Sequence, residues 1–258
     1  MSKSKVQASQ SIVKANLSQA AQSILVKNLS AQTIKGAIGP DLNSLNVADE
    51  LTLGLFILDE SYSLYDFRQA VIDGYDQNVE ALKGSKARDE ILLTSWAFNN
   101  SSRLLHSYLS LDLIDPLKDY HPDGNTALYK TILDGLTSLI QYEQELKDQG
   151  MRVKIDVGVI TDGQDNQSQY YQITAADVKS VVSDIRKKRE NATFNLVALG
   201  NGVDETALAD ELGFPDPAQF EKTPAGIRRA WGTLSSSVIR TSQTKIKTGG
   251  SSNFLAQP

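Results

Sequence analysis

From residue 51 onward, short apolar runs alternate with longer segments in which apolar residues recur every three or four positions. The run LTLGLFIL (51–58) is almost wholly apolar, which is typical of a strand covered on both faces of a sheet. Further strand-like runs are EILLTSWAF (90–98), SRLLHSYLSL (102–111), VKIDVGVI (153–160) and TFNLVALG (193–200). Because only a polar NNSS separates the second and third runs, we expect these two to form a hairpin.

The segments between these runs have the spacing of amphipathic helices. One carries Leu64, Phe67, Val71, Tyr75 and Leu82, and others cover 126–149, 174–185, 204–213 and the stretch from 223 onward. Thr174 and the pair Thr223-Pro224 are typical helix starts, and Gly150 is a typical residue just past a helix end. Strands that alternate with helices in this way predict an α/β doubly wound sheet, mostly parallel, with one antiparallel edge strand from the hairpin.

The two ends of the chain differ from this central domain, which we place at 51–243. Residues 1–50 are rich in Ser, Gln, Ala and Asn, with apolar residues spaced as in one amphipathic helix at Val13, Leu17, Ala21 and Ile24. We expect a helical extension that packs against the domain, with a partner-binding arm as the alternative. Residues 244–258 have the composition of a flexible tail.

Composition narrows the classes of partner. The 258 residues are 40% hydrophobic and carry 31 acidic against 26 basic side chains, a net charge of −5. This charge gives no broad electrostatic reason to bind nucleic acid or a membrane, so we expect a protein or small-molecule partner. The chain has no cysteine, no apolar stretch of about 20 residues and no signal-like start. We therefore expect a cytoplasmic protein, with its oligomeric state left open.

Three polar clusters follow predicted strands or precede a predicted helix. The first holds Asp59, Ser61 and Ser63, the second holds Thr126, and the third holds Asp162. In a doubly wound sheet such loops meet at the carboxyl ends of the strands. The clusters supply only oxygen ligands, two carboxylates and three hydroxyls, which suit Mg²⁺ or the similar Mn²⁺ better than zinc.

Catalytic alternatives find less support in the sequence. A phosphoryl-transfer enzyme of the haloacid-dehalogenase type needs a second Asp where Ser61 stands, and neither a P-loop nor a Gly-x-Ser-x-Gly run occurs. The only histidines, His106 and His121, are not placed beside a hydroxyl by any motif, so no base would activate a serine. We therefore expect a protein that is not an enzyme.

The clusters together resemble the metal-ion-dependent adhesion site of a von Willebrand factor A domain, of the intracellular bacterial type, over about residues 50–242. The resemblance implies that Ser61 and Ser63 bind the metal directly and Asp59 largely through water. It also implies that Thr126 and Asp162 exchange direct and water-mediated roles. A partner's Asp or Glu would complete the coordination.

Two bulky residues occupy positions of the first cluster where many members of this family have small ones. Tyr62 could contact a partner or pack at the rim of the site, and both readings stay open. Glu60 is a further candidate partner contact; we expect it to point to solvent, with direct metal ligation as the alternative.

Two functional hypotheses follow. The favoured one is a non-enzymatic, metal-dependent protein-binding module. The resemblance further suggests work in a multiprotein assembly, beside a MoxR-type AAA+ ATPase or in a stress-resistance system. The alternative is a structural subunit in which the metal stabilises the fold or a self-association contact.

Overall fold

A computed structural model describes residues 4–42 and 49–245. Three short helices come first, α1 (Lys5–Lys14), α2 (Gln19–Lys27) and α3 (Ala31–Gly36). The domain follows as β1 (Glu50–Asp59), α4 (Arg68–Lys83), β2 (Ile91–Phe98), β3 (Ser102–Ser110), α5 (Leu128–Asp148), β4 (Arg152–Thr161), α6 (Ala175–Lys188), β5 (Ala192–Leu199), α7 (Glu205–Leu212), β6 (Asp216–Phe220) and α8 (Pro224–Gln243).

The described strands form a six-stranded sheet in the order β3-β2-β1-β4-β5-β6. Only β3 runs antiparallel to its neighbour, so the predicted mostly parallel sheet with one antiparallel edge strand is confirmed. From β1 the chain moves outward to β2 and β3, whereas from β4 it moves the other way to β5 and β6. The carboxyl ends of β1 and β4 therefore mark the point where ligands bind in sheets of this kind.

Helices cover both faces of the sheet, and β1 contributes to both cores. Leu55 and Ile57 pack in the core beneath α5 and α6, which also contains Trp96. Phe56 and Leu58 point the other way, into the core beneath α4 and α8, which contains Trp231. Since side chains alternate along a strand, this double burial explains the unbroken apolar run of β1.

Most of the helix boundaries follow the predicted signals. Thr174 and Thr223 accept the expected N-terminal capping bonds, from the backbone N–H groups of Asp177 and Gly226 respectively. Gly150 has a φ of 88°, the left-handed conformation that glycine adopts without strain. The pattern missed β6, because its sequence DPAQF is short, half-polar and contains a proline, which strands accept mainly at sheet edges.

The N-terminal extension is helical, but the expected single helix from Val13 to Ile24 is wrong. Asn16 takes a left-handed conformation with φ of 49°, and the Ser18 hydroxyl caps a new helix by accepting from the N–H of Ala21. Side chains that bond the nearby backbone end one helix and start another. As a result Val13 is 57% exposed, and its neighbour Ile12 is fully buried.

The extension packs directly on the domain. Its buried apolar residues join the core beneath α5 and α6: Ala8, Ile12, Ala15, Leu17, Ala21, Leu25 and Leu29. The guanidinium of Arg189 donates to the Ala15 carbonyl at 2.9 Å while it pairs with the buried carboxylate of Glu143. The boundary at residue 50 stays a prediction of sequence composition. Of the predicted flexible tail at 244–258, the residues from 246 onward lie outside the described residues.

We predict that Ile12→Ala lowers the free energy of unfolding by about 2 to 5 kcal/mol, because it removes a buried side chain and leaves a cavity. The matched control is Val13→Ala at the neighbouring exposed position, which we expect to change stability by less than about 0.5 kcal/mol. Urea unfolding followed by circular dichroism measures both. Equal effects of the two substitutions would show that the extension does not pack as described.

Candidate metal site

The candidate site lies at the carboxyl ends of β1 and β4. Asp59 is the last residue of β1, Ser61 and Ser63 belong to the turn that follows, and Asp162 comes directly after β4. Thr126 lies in the loop before α5. The structure thus brings the three predicted clusters to one edge of the sheet, as the sequence indicates.

Three side-chain oxygens form a continuous chain in this site. The hydroxyls of Ser61 and Ser63 lie 3.0 Å apart, and the Ser63 hydroxyl donates to Oδ1 of Asp162 at 2.7 Å. Neighbouring ligands of an octahedral Mg²⁺ with metal–oxygen distances of 2.0–2.1 Å are about 3 Å apart. These three oxygens therefore have the spacing and the hard-oxygen chemistry that fit a small divalent cation.

Asp59 holds the two loops in place. Its Oδ1 accepts from the backbone N–H of Ser61 at 2.8 Å, and its Oδ2 accepts from the Thr161 hydroxyl at 2.7 Å. The backbone N–H of Asp162 also points at Oδ2, at 3.3 Å. Each carboxylate oxygen of Asp59 thus has protein donors, so this carboxylate links the turn after β1 to the end of β4. That it meets a metal largely through water stays a prediction of the resemblance.

Thr126 is close to the other groups but makes no hydroxyl contact with them in the described geometry. Its backbone N–H donates to the Asn166 side chain at 2.9 Å, and its carbonyl accepts from the backbone of Asn166 at 3.0 Å. Its hydroxyl faces Gly163, 3.8 Å from where a Cβ on that glycine would lie. Thr126 is therefore anchored to the loop that carries Asp162.

Glu60 corrects an expectation from the sequence. The sequence predicts a Glu60 that points to solvent and contacts a partner, with direct metal ligation as the alternative, but this residue is only 2% exposed. Its carboxylate accepts two bonds from one nitrogen of Arg103, at 2.7 and 2.9 Å, and one from the backbone N–H of His121 at 2.6 Å. A buried carboxylate needs such partners, so Glu60 joins β1 to β3 and to the segment before Thr126.

Tyr62, the other bulky residue of this turn, is 65% exposed. Its ring stacks on that of Tyr65, with the centroids 5.8 Å apart. The two rings line a cleft of about 470 Å³ together with Arg68, His121, Pro122 and Asp123. Tyr62 therefore stands at the rim of the site with most of its surface open to solvent.

Three further residues lie at the site without any signal in the sequence pattern. The Thr161 hydroxyl bonds Asp59, the Tyr120 hydroxyl donates to the Asp59 carbonyl at 2.6 Å, and the Lys222 ammonium lies 3.1 Å from Oδ2 of Asp162. Lys222 follows β6, the strand that the apolar pattern did not reveal. A correct assignment of β6 would have placed Lys222 at the same sheet edge.

The two carboxylates of the site repel each other. Burial, and then the negative charge of Asp162, raise the pKa of Asp59 from 3.8 to about 6, although hydrogen bonds from Ser61 and Thr161 act in the opposite direction. A cation between the carboxylates would relieve this repulsion. In the described part of the chain no group of three or more His, Asp or Glu side chains is arranged to hold a metal, and this site has only two carboxylates.

Comparisons with known proteins identify the fold. The structure is similar to a von Willebrand factor type A protein from Catenulispora acidiphila (TM-score 0.51, 14% identity, 74% of this chain and 43% of that one). It is also similar to the PilB minor pilin from Streptococcus sanguinis (0.52, 12%, 75% and 62%). A third match is the vWF domain of the type V pili tip protein Mfa5 from Porphyromonas gingivalis (0.52, 9%, 78% and 99%).

These similarities show that the domain has the von Willebrand factor A fold. The chain spans only 43% and 62% of the length of the first two of these proteins. No protein-family model matches the sequence, and no curated protein matches it either. Among the described residues, no helix is long and apolar enough to cross a membrane.

We predict that Asp59 makes the stability of the metal-free protein depend on pH. Because its pKa is higher in the folded than in the unfolded state, the folded state still holds, between about pH 4 and 6, a proton that the unfolded chain has already lost. The free energy of unfolding should therefore fall by roughly 2 to 3 kcal/mol across this window and then level off. Urea unfolding in EDTA at several pH values measures the slope.

The comparison variant is Asp59→Asn, in which the slope between pH 4 and 6 should be smaller. Some slope should persist, because burial also raises the pKa of Asp156, in β4, to about 7. Identical slopes in the wild type and the variant would contradict the prediction.

Proposed function

We propose that this protein is a non-enzymatic protein-binding module that holds Mg²⁺ or Mn²⁺ between β1 and β4 and captures an Asp or Glu side chain of a partner. The observation that carries the proposal is the chain of oxygens from Ser61 through Ser63 to Asp162, at 3.0 and 2.7 Å. Ser61, Ser63 and Asp162 would hold the ion, with Thr126 adjacent and Asp59 supporting the loops.

The chemistry of these ligands explains why a partner would be needed. Two of the three proposed ligand oxygens belong to neutral hydroxyls, so the direct ligands carry only one negative charge against the two positive charges of the ion. When bound, the ion would offer a coordination position to an anionic ligand, and a carboxylate fills such a position well. Binding would then be completed by the partner.

Exposed aromatic residues at the rim of the site favour a protein as the partner. Tyr62 and Tyr65 are 65% and 60% exposed beside the two serines, and exposed aromatic side chains commonly anchor protein interfaces. The cleft that they line, at about 470 Å³, is large enough for a further side chain of the partner. Tyr62 is therefore proposed as a partner contact, whereas the buried Glu60 is not.

The proposal extends to work in a multiprotein assembly. Two structural neighbours are, by their names, a minor pilin and a pilus-tip protein domain, so the fold occurs in assembled structures. For this chain, a role beside a MoxR-type ATPase or in a stress-resistance system stays a prediction from the family resemblance. The cytoplasmic location and the lack of enzymatic activity also stay predictions.

One observation favours a second candidate function, a structural subunit whose metal only stabilises the fold. The Asp59 carboxylate bonds groups from both strand ends, the N–H of Ser61 after β1 and the Thr161 hydroxyl in β4. An ion at this junction would tighten the contact between the two central strands without any partner.

We predict that millimolar Mg²⁺ or Mn²⁺ raises the melting temperature by about 2 to 6 °C, because an ion that binds only the folded state stabilises it by mass action. The double substitution Ser61→Ala with Ser63→Ala should remove this increase. The control pair is Ser11→Ala with Ser236→Ala, which removes two hydroxyls that bond only helix carbonyls in the described geometry. An unchanged metal response in the Ser61/Ser63 variant would disprove the site assignment.

We further predict that chelation with EDTA releases a captured protein partner while this protein stays folded. Partner capture in Mg²⁺ and in EDTA, with circular dichroism on the same samples, measures both properties. Asp59→Ala should weaken capture in the same way as EDTA. If the partner is retained after chelation and only the melting temperature falls, the structural-subunit function is correct.

A further inference from the structure

Lys222 places a positive charge directly against the candidate site. Its ammonium lies 3.1 Å from Oδ2 of Asp162 and 3.5 Å from the carbonyl oxygen of Ser63. The Asp162 side chain is fully buried, whereas the Lys222 side chain is 33% exposed. The ammonium also lies 5.8 Å from the centroid of the Phe67 ring, within the range of a cation–π contact.

The two oxygens of Asp162 have different partners. Oδ1 accepts from the Ser63 hydroxyl and so belongs to the chain of oxygens that would hold the ion. Oδ2 accepts from Lys222. The lysine thus neutralises charge on Asp162 without occupying the oxygen beside the serines, and its presence is compatible with an ion on the Oδ1 side.

The charges can be counted from these contacts. Asp59 and Asp162 contribute two negative charges, Lys222 contributes one positive charge, and the buried Glu60 is neutralised by Arg103. The formal charge of the site is therefore −1 and not −2. A divalent ion would change it to +1, so the loaded site would attract an anion, whereas without Lys222 it would be neutral.

We propose that Lys222 is a positioning residue that sets the charge of this site, weakening the binding of the divalent ion and strengthening the capture of a carboxylate. The proposal rests on the proposed function. Lys222 lies in the segment between β6 and α8. Its charge would let the site release its metal more readily and hold an acidic partner more firmly. A lysine that only stabilised the fold would not move the two affinities in opposite directions.

The test is Lys222→Met, compared with the wild type, with Mn²⁺ as the metal and acetate as the carboxylate. Electron paramagnetic resonance of free Mn²⁺ gives the Kd of the ion, which should fall about tenfold because a repulsive charge is removed next to the site. Relaxation of the acetate protons by protein-bound Mn²⁺, at equal site occupancy, reports carboxylate binding. This relaxation should fall by about threefold or more.

Three further variants sharpen the comparison. Lys222→Arg keeps the charge and should behave like the wild type in both measurements. Lys222→Gln removes the charge but keeps a hydrogen-bond donor, so it should behave like Lys222→Met and serves if the latter does not fold. Lys14→Met is the distant control, because Lys14 pairs with Asp148 at the last residue of α5. The first residues of this 21-residue helix adjoin the site, so Lys14 lies about 30 Å from it. This substitution should change neither affinity.

The possible results separate this proposal from the one on which it rests. Tighter Mn²⁺ binding with weaker acetate relaxation in Lys222→Met and Lys222→Gln, but not in Lys222→Arg, supports it. Unchanged affinities, or two affinities that shift in the same direction, overturn it while leaving the proposed function intact. If the wild type binds no Mn²⁺, or the Ser61/Ser63 double variant binds it equally well, the proposed function itself fails and Lys222 has no such role.

Discussion

The site depends on the burial of two carboxylates at the ends of adjacent strands. Asp59 and Asp162 are largely shielded from water, and burial together with the negative charge of Asp162 raises the pKa of Asp59. Such a pair persists in a fold only if hydrogen-bond donors and cations surround it. The backbone N–H of Ser61, the Thr161 hydroxyl and the Lys222 ammonium supply part of this compensation. A divalent ion beside the serines would supply more.

The topology of the sheet explains why these groups meet. β1 and β4 are adjacent at the centre of the sheet, but 92 residues separate the end of β1 from the start of β4, from Glu60 to Met151. The intervening chain builds α4, β2 and β3, returns to the same edge with the Thr126 loop, and then forms α5. Backbone bonds then tie the edge together: the N–H of Asp123 donates to the Glu60 carbonyl at 3.0 Å, and that of Tyr62 to the Gly124 carbonyl at 3.1 Å.

The surroundings of the site divide into a rigid and an accessible side. On the rigid side, the buried pair of Glu60 and Arg103 links the turn after β1 to the edge strand β3. On the accessible side, Tyr62 and Tyr65 stand open to solvent next to the hydroxyls. This division would suit the proposed binding module, because buried ion pairs would hold the metal ligands in place while exposed aromatic rings would remain free to contact a partner.

Most of the fold could be predicted from the sequence. Helical and strand periodicities, the Thr174 and Thr223 caps and the hairpin between β2 and β3 are local signals, and the structure follows them. The exceptions are β6, which is too short and polar to show a strand pattern, and the N-terminal helix, which Asn16 and Ser18 interrupt.

The candidate site was predictable in part for the same reason. By itself the sequence determined which polar residues follow strands or precede a helix at one edge of the sheet, because that placement depends on local patterns and chain order. These residues are Asp59, Ser61, Ser63, Thr126 and Asp162. Only the tertiary structure decided that Glu60 is buried against Arg103 and that Lys222 reaches Asp162. Burial and ion pairing are set by segments far apart in the chain, and no local pattern encodes which of them will come into contact.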